Sequence, residues 1–149
     1  MQTIVDFELP STGGKSFRLS DYSGKFLLLY FYPKDNTPGC TTESQQFRDL
    51  HDEFEKLDCR VLGISRDSIK SHENFKEKFA LPFDLLSDTE EQVCNAFEVI
   101  KQKMMYGKPV RGIERSTFLI DAGKIVKEWR GVKAEGHAST VLTHLKTLY

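Results

Sequence analysis

A run of seven apolar residues from Phe26 to Tyr32 limits how this chain can fold. The run ends at Pro33, so it is far shorter than the ~20 residues that span a bilayer as a helix, and its length suits a strand. Its apolar residues do not alternate with polar ones, so both faces of the strand must be covered. The run therefore predicts the central strand of a sheet with other elements packed on both sides.

Three further regions carry strand signals. Short apolar stretches on either side of Ser11-Thr12-Gly13-Gly14 predict a hairpin between Phe7 and Leu19. Residues 60–65 read as a second core strand, and residues 117–120 and 125–129 flank a turn that predicts a second hairpin.

Four helices are predicted between and after these strands from apolar residues at steps of three and four. In chain order they carry Phe47, Leu50, Phe54 and Leu57 after a loop from Pro33 to Gly39; Phe75 and Phe79, with Asp67 or Ser68 as cap and Pro82 as stop; Phe97, with Asp88 and Glu91 as a capping box; and Val141, Leu142, Leu145 and Leu148.

Strands that alternate with helices and then end in a hairpin predict an α/β fold with a mixed central sheet flanked by helices and an N-terminal hairpin. This order is compatible with a thioredoxin-like core. No repeat, low-complexity tract or linker interrupts the chain, so residues 1–149 are predicted to form one domain.

The charge balance argues against a nucleic-acid partner, and the first residues argue against secretion. The chain has 21 basic and 22 acidic side chains and a net charge of -1, whereas a nucleic-acid surface needs an excess or a stripe of Lys and Arg. Its first residues show no basic segment followed by an apolar one, so no secretory signal is expected. We predict a cytoplasmic protein without nucleic-acid or membrane partners.

Three cysteines, Cys40, Cys59 and Cys94, are too few and too scattered for a disulfide scaffold. In a reducing compartment each is either a small buried residue or a reactive thiol. Cys40 falls where the loop after the apolar strand becomes the first turn of a helix. Unpaired backbone N–H groups and the positive end of the helix dipole stabilise a thiolate there, and the thiolate is the nucleophile.

The residues before Cys40 add a second signal. Thr37 has a hydroxyl that can donate to a thiolate and accept from a substrate O–H, and Gly39 lets a small molecule approach the backbone. Pro33, Thr37 and Cys40 form the pattern Pro-x-x-x-Thr-x-x-Cys, which is the signature of peroxiredoxins.

Other segments extend the resemblance along the chain. It is similar to the peroxiredoxin Q family, also called bacterioferritin comigratory proteins, from about Asp6 to the C-terminus. The segments that carry this similarity are Phe-Tyr-Pro-Lys at 31–34, Thr-Pro-Gly-Cys-Thr-x-Glu at 37–43, Val-Leu-Gly-Ile-Ser at 61–65, Leu-Leu-Ser-Asp at 85–88 and Gly-Ile-x-Arg-x-x-Phe-Leu-Ile-Asp at 112–121.

The resemblance implies a thioredoxin-like fold and a thiol-dependent peroxidase that reduces hydrogen peroxide and organic hydroperoxides. Cys40 matches the peroxidatic cysteine, which becomes a sulfenic acid, and Thr37 matches the residue that hydrogen-bonds sulfur and peroxide. Pro33 matches the residue that shields the sulfur from water. Arg115 matches the arginine beside the thiolate, and Glu43 matches a position that commonly holds this arginine in place. Members are often monomers, and no cofactor or metal is expected.

The chain departs from the family at the resolving cysteine. The position five residues after Cys40 is Gln45, and the helix segment from Phe75 to Phe79, where other members carry this cysteine, has none. We therefore expect an external thiol such as thioredoxin, glutaredoxin or a small thiol to reduce Cys40. Cys94 is the second candidate for this role and Cys59 the third.

Three other functions are less consistent with the residues. A disulfide reductase needs Cys-x-x-Cys, but Glu43 stands three residues after Cys40. A metal-binding module lacks the short spacings of a zinc site, so His51, His72, His137 and His144 are interpreted as surface residues. A peroxide sensor or holdase that uses the same Cys40 stays open, and a turnover assay separates it from a peroxidase.

Overall fold

The computed structural model describes residues 2–149, which contain one large sheet, one two-stranded ribbon and five α-helices. The strands are β1 (Gln2–Thr3), β2 (Glu8–Ser11), β3 (Lys15–Arg18), β4 (Phe26–Phe31), β5 (Cys59–Ser65), β6 (Leu85–Ser87), β7 (Ile100–Met105), β8 (Lys108–Ile113), β9 (Ser116–Asp121) and β10 (Lys124–Arg130). The α-helices are α1 (Pro38–Asp49), α2 (His51–Lys56), α3 (Ile69–Lys78), α4 (Gln92–Ala96) and α5 (His137–Lys146), and a 3₁₀ turn spans Leu19–Asp21.

The large sheet has eight strands in the order β1-β10-β9-β4-β5-β6-β2-β3. β4 pairs in parallel with β5 and antiparallel with β9, and β5 pairs in parallel with β6, so the sheet is mixed as predicted. α1 and α2 connect β4 to β5, and α3 connects β5 to β6. The carboxyl ends of these three strands therefore meet at one edge of the sheet, which we call the carboxyl edge.

Strand β4 lies in the middle of the sheet and separates two apolar layers. Phe26, Leu28 and Tyr30 face a layer that includes residues of α1, α2, α3 and α5. The alternate side chains of β4 face a layer built from the N-terminal hairpin and α4. Every side chain of β4 is at most 3% exposed, and burying one such side chain contributes about 1.5–3 kcal/mol.

The predicted fold class is confirmed, including both hairpins, β2–β3 and β9–β10. Two helix predictions were wrong in detail. The first helix begins at Pro38, inside the loop predicted from Pro33 to Gly39. It also bends at Leu50, whose ψ of 4° ends α1 before α2 begins. Phe47 and Phe54 are both buried on either side of this bend. Apolar spacing predicts which side chains are buried, but it does not report a bend in the backbone that leaves them buried.

The predicted capping box of Asp88 and Glu91 does not form. Glu91 has a positive φ of 62°, and the helix begins at Gln92. The Glu91 carboxylate instead accepts from Arg66 and Arg111 at 2.9 and 2.6 Å, so two cations compete with the helix end for it. Asp88 accepts from the backbone N–H of Cys94 at 2.7 Å, inside the first turn.

Candidate active site

Cys40 is the third residue of α1, which begins directly after the loop at the carboxyl end of β4. Thr37 is the N-cap, with extended φ and ψ of -88° and 152°, and Pro38 occupies the first helical position, where its missing N–H costs nothing. The backbone N–H of Thr41 donates to the Thr37 carbonyl at 2.9 Å. Gly39 and Cys40 precede the first N–H that the helix itself can satisfy, so their N–H groups point out of the helix start. Cys40 is fully buried there.

Arg115 lies beside Cys40 because β9 runs antiparallel to β4. Ser116, the first residue of β9, pairs with Phe31 at the end of β4. Arg115 lies between β8 and β9, and its Nη2 is 3.5 Å from the Cys40 Sγ. Its Nη1 donates to Glu43 Oε1 at 2.7 Å. The three side chains of Cys40, Arg115 and Glu43 thus form one group, which we call the arginine cluster. A guanidinium in this position stabilises negative charge on the sulfur.

Glu43 is the most unusual member of this cluster. Its side chain is fully buried, and in the described part of the chain its Oε2 has no hydrogen-bond partner. Burial raises the pKa of Glu43 to about 7, although the charge and hydrogen bond of Arg115 act in the opposite direction. The carboxyl group therefore exchanges its proton near neutral pH, one helical turn from Cys40.

Gly39 is needed for the approach of Arg115. A Cβ at this position would lie 2.9 Å from Arg115 Nη2, which is closer than real Cβ contacts come. Because that guanidinium is also bonded to Glu43, moving it away would break the cluster. Any side chain at residue 39 would therefore push Arg115 from the sulfur.

Thr37 and Pro33 lie in the same loop but make different contacts from those expected. The Thr37 hydroxyl donates to the Lys34 carbonyl at 2.8 Å, so in this structure its single proton is not directed at the sulfur. Its lone pairs stay free to accept from an O–H group. Pro33 is half-buried directly after Tyr32, and its role as a shield stays a prediction.

His137 is a residue near the site that the sequence reasoning missed. It begins α5, is only 5% exposed, and its Nε2 lies 2.8 Å from Thr117 Oγ1. Its ring packs edge-on against Phe47 and Trp129 at 6.1 Å each. Burial, together with the charge of Arg115, lowers the pKa of His137 to about 4. No short motif surrounds it, so only the packing of α5 on α1 reveals its place.

The interpretation of the histidines as surface residues was wrong for two of the four, because His72 and His137 are buried. Two groups of side chains bring three potential metal ligands within 4.8 Å of one another, namely Asp35, Asp67 and His72, and His51, Asp52 and Glu55. In the first group both ring nitrogens of His72 are engaged by protein atoms. In the second, His51 lies 3.1 Å from the exposed Glu55.

Cys59 and Cys94 lie away from Cys40. Cys59 pairs with Phe26 at the start of β4, whereas α1 follows the end of β4, so about 17 Å of strand separates the two cysteines. Cys94 belongs to the apolar layer on the other face of the sheet. Burial raises the pKa of both thiols, to about 12 for Cys59. The length of β4 for Cys59, and the ~10 Å between packed layers for Cys94, both exceed the ~7 Å between Cα atoms that a disulfide with Cys40 requires.

Known proteins are similar to this chain over nearly its whole length. Residues 1–129 match the family model described as the AhpC/TSA family. Peroxiredoxin Bcp of Bacillus subtilis is 51% identical over 148 residues, which is 99% of this chain and 94% of the relative. The chain is a peroxiredoxin of the AhpC/TSA family.

Other peroxiredoxins support the same assignment. Peroxiredoxin Bcp of Xanthomonas campestris is 53% identical and covers 95% of this chain and 89% of the relative. A solved structure of the X. campestris bacterioferritin comigratory protein, described for its alkyl peroxide reduction activity, superposes with a TM-score of 0.90 at 51% identity, covering 95% of this chain and 90% of that one. This peroxiredoxin is therefore a thiol-dependent peroxidase with a thioredoxin-like fold.

None of its helices within residues 2–149 is long and apolar enough to cross a bilayer.

Proposed function

We propose that this peroxiredoxin reduces hydrogen peroxide and alkyl hydroperoxides by direct attack of the Cys40 thiolate on the O–O bond. The observation that carries the proposal is the placement of Arg115 Nη2 at 3.5 Å from the Cys40 Sγ, with Glu43 holding the other arm of the guanidinium. The alkyl peroxide reduction activity of the X. campestris relative supports the inclusion of alkyl substrates.

The first step moves negative charge from sulfur to oxygen. The thiolate forms a bond to one peroxide oxygen, the O–O bond breaks, and its electron pair leaves on the other oxygen as hydroxide or alkoxide, which takes a proton. Cys40 becomes a sulfenic acid. Donors aimed at the oxygens bind this transition state better than the ground state, and Arg115 with the N–H groups at the start of α1 supplies them.

Two features of the site suit this step. The Thr37 hydroxyl donates to Lys34 and so can only accept, which orients the O–H of the attacked oxygen. Cys40 also belongs to the buried apolar layer around Tyr30 and Phe47, and excluding water strengthens each electrostatic contact in the site.

We propose that an external thiol completes the cycle, because Cys59 and Cys94 both lie far from Cys40. The sulfenic acid condenses with a first thiol to give a mixed disulfide and water. A second thiol then releases the Cys40 thiolate and leaves the reductant as a disulfide. Thioredoxin, glutaredoxin or a small thiol can each supply both thiols.

The same proposal extends to the setting of the enzyme. We propose that residues 1–149 act as one domain and as a monomer in the cytoplasm. The large sheet draws strands from Gln2 to Arg130, which supports one folding unit. Three free cysteines in a chain of this size support a reducing compartment.

The decisive experiment replaces each cysteine in turn. Cys40→Ser should abolish peroxide consumption, because a hydroxyl is not ionised near neutral pH, while Cys59→Ser and Cys94→Ser should keep the first oxidation rate within about twofold. Stopped-flow oxidation of the three variants measures this. Loss of the fast phase in Cys59→Ser or Cys94→Ser would remove Cys40 from its proposed role, and oxidation without turnover would favour a sensor.

The external-thiol step is tested by intact mass. One equivalent of peroxide without reductant should add one oxygen, about 16 Da, to the wild-type chain and to no residue other than Cys40. Gln45→Cys should instead give an internal disulfide and protect Cys40 from over-oxidation. Five residues of helix rise about 7.5 Å, beyond disulfide reach, so this bond needs α1 to unwind locally. A prompt disulfide in the wild-type chain would contradict the external-thiol step.

A further inference from the structure

A second buried charge cluster lies on the other side of the active-site loop. The carboxylate of Asp35 accepts from Nδ1 of His72 at 2.7 Å, from the Ser71 hydroxyl at 2.8 Å and from the Tyr32 hydroxyl at 2.6 Å. The side chains of Asp35 and His72 are 1% and 0% exposed. We call these four residues the histidine cluster. It joins the loop after β4 to the first turn of α3.

The hydrogen bonds determine how protons are placed in this cluster. His72 Nε2 lies 2.9 Å from the Leu86 carbonyl, which only accepts, so Nε2 carries a proton. One further proton then lies between Nδ1 and Asp35, and the pair is neutral overall whichever atom holds it. Burial alone would raise the pKa of Asp35. The hydrogen bonds from His72, Tyr32 and Ser71 outweigh this effect and hold the pKa of Asp35 below its ordinary value.

The backbone of the loop is fixed by the same residue. The N–H of Asp35 donates to Asp67 Oδ2 at 2.9 Å, and Asp67 follows β5 at the carboxyl edge. The next residue, Asn36, has a positive φ of 63°, a left-handed conformation that asparagine adopts more readily than most other non-glycine residues and that turns the chain towards α1. Thr37 then caps α1. The path from the histidine cluster to the start of α1 is therefore two residues long and held at both ends.

Small displacements of this path matter for the reaction. The orientation of the Thr37 hydroxyl and of the N–H groups of Gly39 and Cys40 depends on where α1 begins. A misplacement of about 1 Å in a reacting geometry can slow a reaction by about 10²-fold. Tyr32 of the histidine cluster shares the buried apolar layer with Cys40, but among the described residues no hydrogen bond joins this cluster to the Cys40 sulfur. The hydrogen-bonded connection between them is the loop.

We propose that Asp35 is a positioning residue for peroxide reduction, which fixes the loop and the start of α1 through its contacts with His72, Ser71 and Tyr32. The inference rests on the proposed role of Cys40. The geometry of the hydrogen bonds, rather than the charge of the carboxylate, does the positioning. An amide at residue 35 keeps this geometry. Its oxygen accepts from Tyr32, and the two N–H bonds of its NH₂ donate to Nδ1 of neutral His72 and to the Ser71 hydroxyl oxygen, so the bond with Ser71 is kept with its direction reversed.

Two substitutions of Asp35 and one control test this. Asp35→Ala should slow the single-turnover oxidation of Cys40 by hydrogen peroxide at least about tenfold, whereas Asp35→Asn should stay within about threefold. Asp84→Ala is the matched control. Asp84 is 9% exposed and accepts from Thr12 and Lys76, but it lies just before β6, at the opposite edge from α1. It should lower the melting temperature and leave the oxidation rate unchanged.

Rates are measured at a temperature where circular dichroism shows each variant folded. If Asp35→Ala does not fold, Ser71→Ala removes one hydrogen bond to Asp35 and should slow oxidation about threefold. The inference is overturned if Asp35→Ala, or Ser71→Ala in its place, reacts at the wild-type rate, or if Asp84→Ala slows the reaction equally. A wild-type Cys40 that does not react with peroxide would instead overturn the proposed function.

Discussion

The arginine cluster and the histidine cluster both bury charges beside the same loop, but they differ in how completely their atoms are bonded. Both carboxylate oxygens of Asp35 accept hydrogen bonds, and both ring nitrogens of His72 have partners. In the described part of the chain, Glu43 Oε2 has no partner. A saturated cluster fixes a geometry, whereas one with an unpartnered atom still responds to a proton or a substrate. The comparison therefore assigns positioning to the histidine cluster and chemistry to the arginine cluster.

The largest effect that this comparison predicts is at Arg115. Arg115→Ala should slow the oxidation of Cys40 about 10²- to 10³-fold, because it removes the donors that stabilise the transition state. Arg115→Lys keeps the charge but loses the planar pair of donors, so it should recover only part of the rate. Stopped-flow oxidation by hydrogen peroxide measures both. Full recovery by lysine would show that charge alone matters.

A smaller effect is expected at Glu43. Glu43→Ala should slow oxidation about 10- to 30-fold, because Arg115 loses the bond that holds it 3.5 Å from the Cys40 Sγ. Glu43→Gln keeps an acceptor at the Oε1 position and should lie within about threefold of the wild type. A faster Glu43→Ala enzyme would mean that the carboxylate draws the guanidinium away from the sulfur and does not position it.

The smallest effect is in the pH dependence of stability, where Glu43 and His137 should oppose each other. The pKa of Glu43 is raised from 4.5 to about 7. Its contribution to the free energy of unfolding is therefore present at low pH and is lost as the pH rises from 4.5 to about 7. The pKa of His137 is lowered from 6.5 to about 4, so its contribution is present above pH 6.5 and is lost as the pH falls. The pH ranges of these two opposite effects overlap, so they nearly cancel. The free energy of unfolding of the wild type should therefore change little across the shared range.

Single variants should separate the two contributions. Glu43→Gln should leave a free energy of unfolding that rises with pH by about 3 kcal/mol, and His137→Gln should leave one that falls with pH by a similar amount. Urea unfolding at several pH values measures both slopes. His144→Gln, on the same helix as His137, serves as the control and should follow the wild type. If the free energy of unfolding depended on pH in the same way in all three variants, Glu43 and His137 would not have opposite effects and the prediction would be wrong.

The fold could be predicted wherever the residues interact with near neighbours in the chain. The continuous apolar run from Phe26 to Tyr32 and the glycine-containing turns identify β4 and the two hairpins, because period and turn chemistry are local properties. Strand β6 is buried but has only three residues, which is too short to show a period, and the β7–β8 ribbon exposes most of its side chains and so shows no apolar pattern. The predictions therefore missed both.

The candidate site divides in the same way. Cys40 and Thr37 lie within one loop and the first helical turn after it, and their positions in the chain alone identify them as candidates. Glu43 lies only three residues after Cys40, but its role came from the family resemblance. Arg115 came from the family resemblance, because its chain position, 75 residues from Cys40, says nothing about its contact with sulfur. The burial of the titratable side chains Asp35, His72 and His137 depends on how α3 and α5 pack on the sheet, which no single sequence pattern encodes.

The placement of Trp129 gives the enzyme a built-in optical signal. It is the only tryptophan of the chain, packs against the apolar layer that contains Cys40, and lies edge-on to His137. The emission of an indole ring depends on the polarity and the charges around it. Conversion of the sulfur to a polar, oxygen-bearing group, or local opening of α1, changes those surroundings. Each turnover should therefore register in the intrinsic fluorescence of the unlabelled protein, and the signal should vanish in Trp129→Phe while catalysis continues.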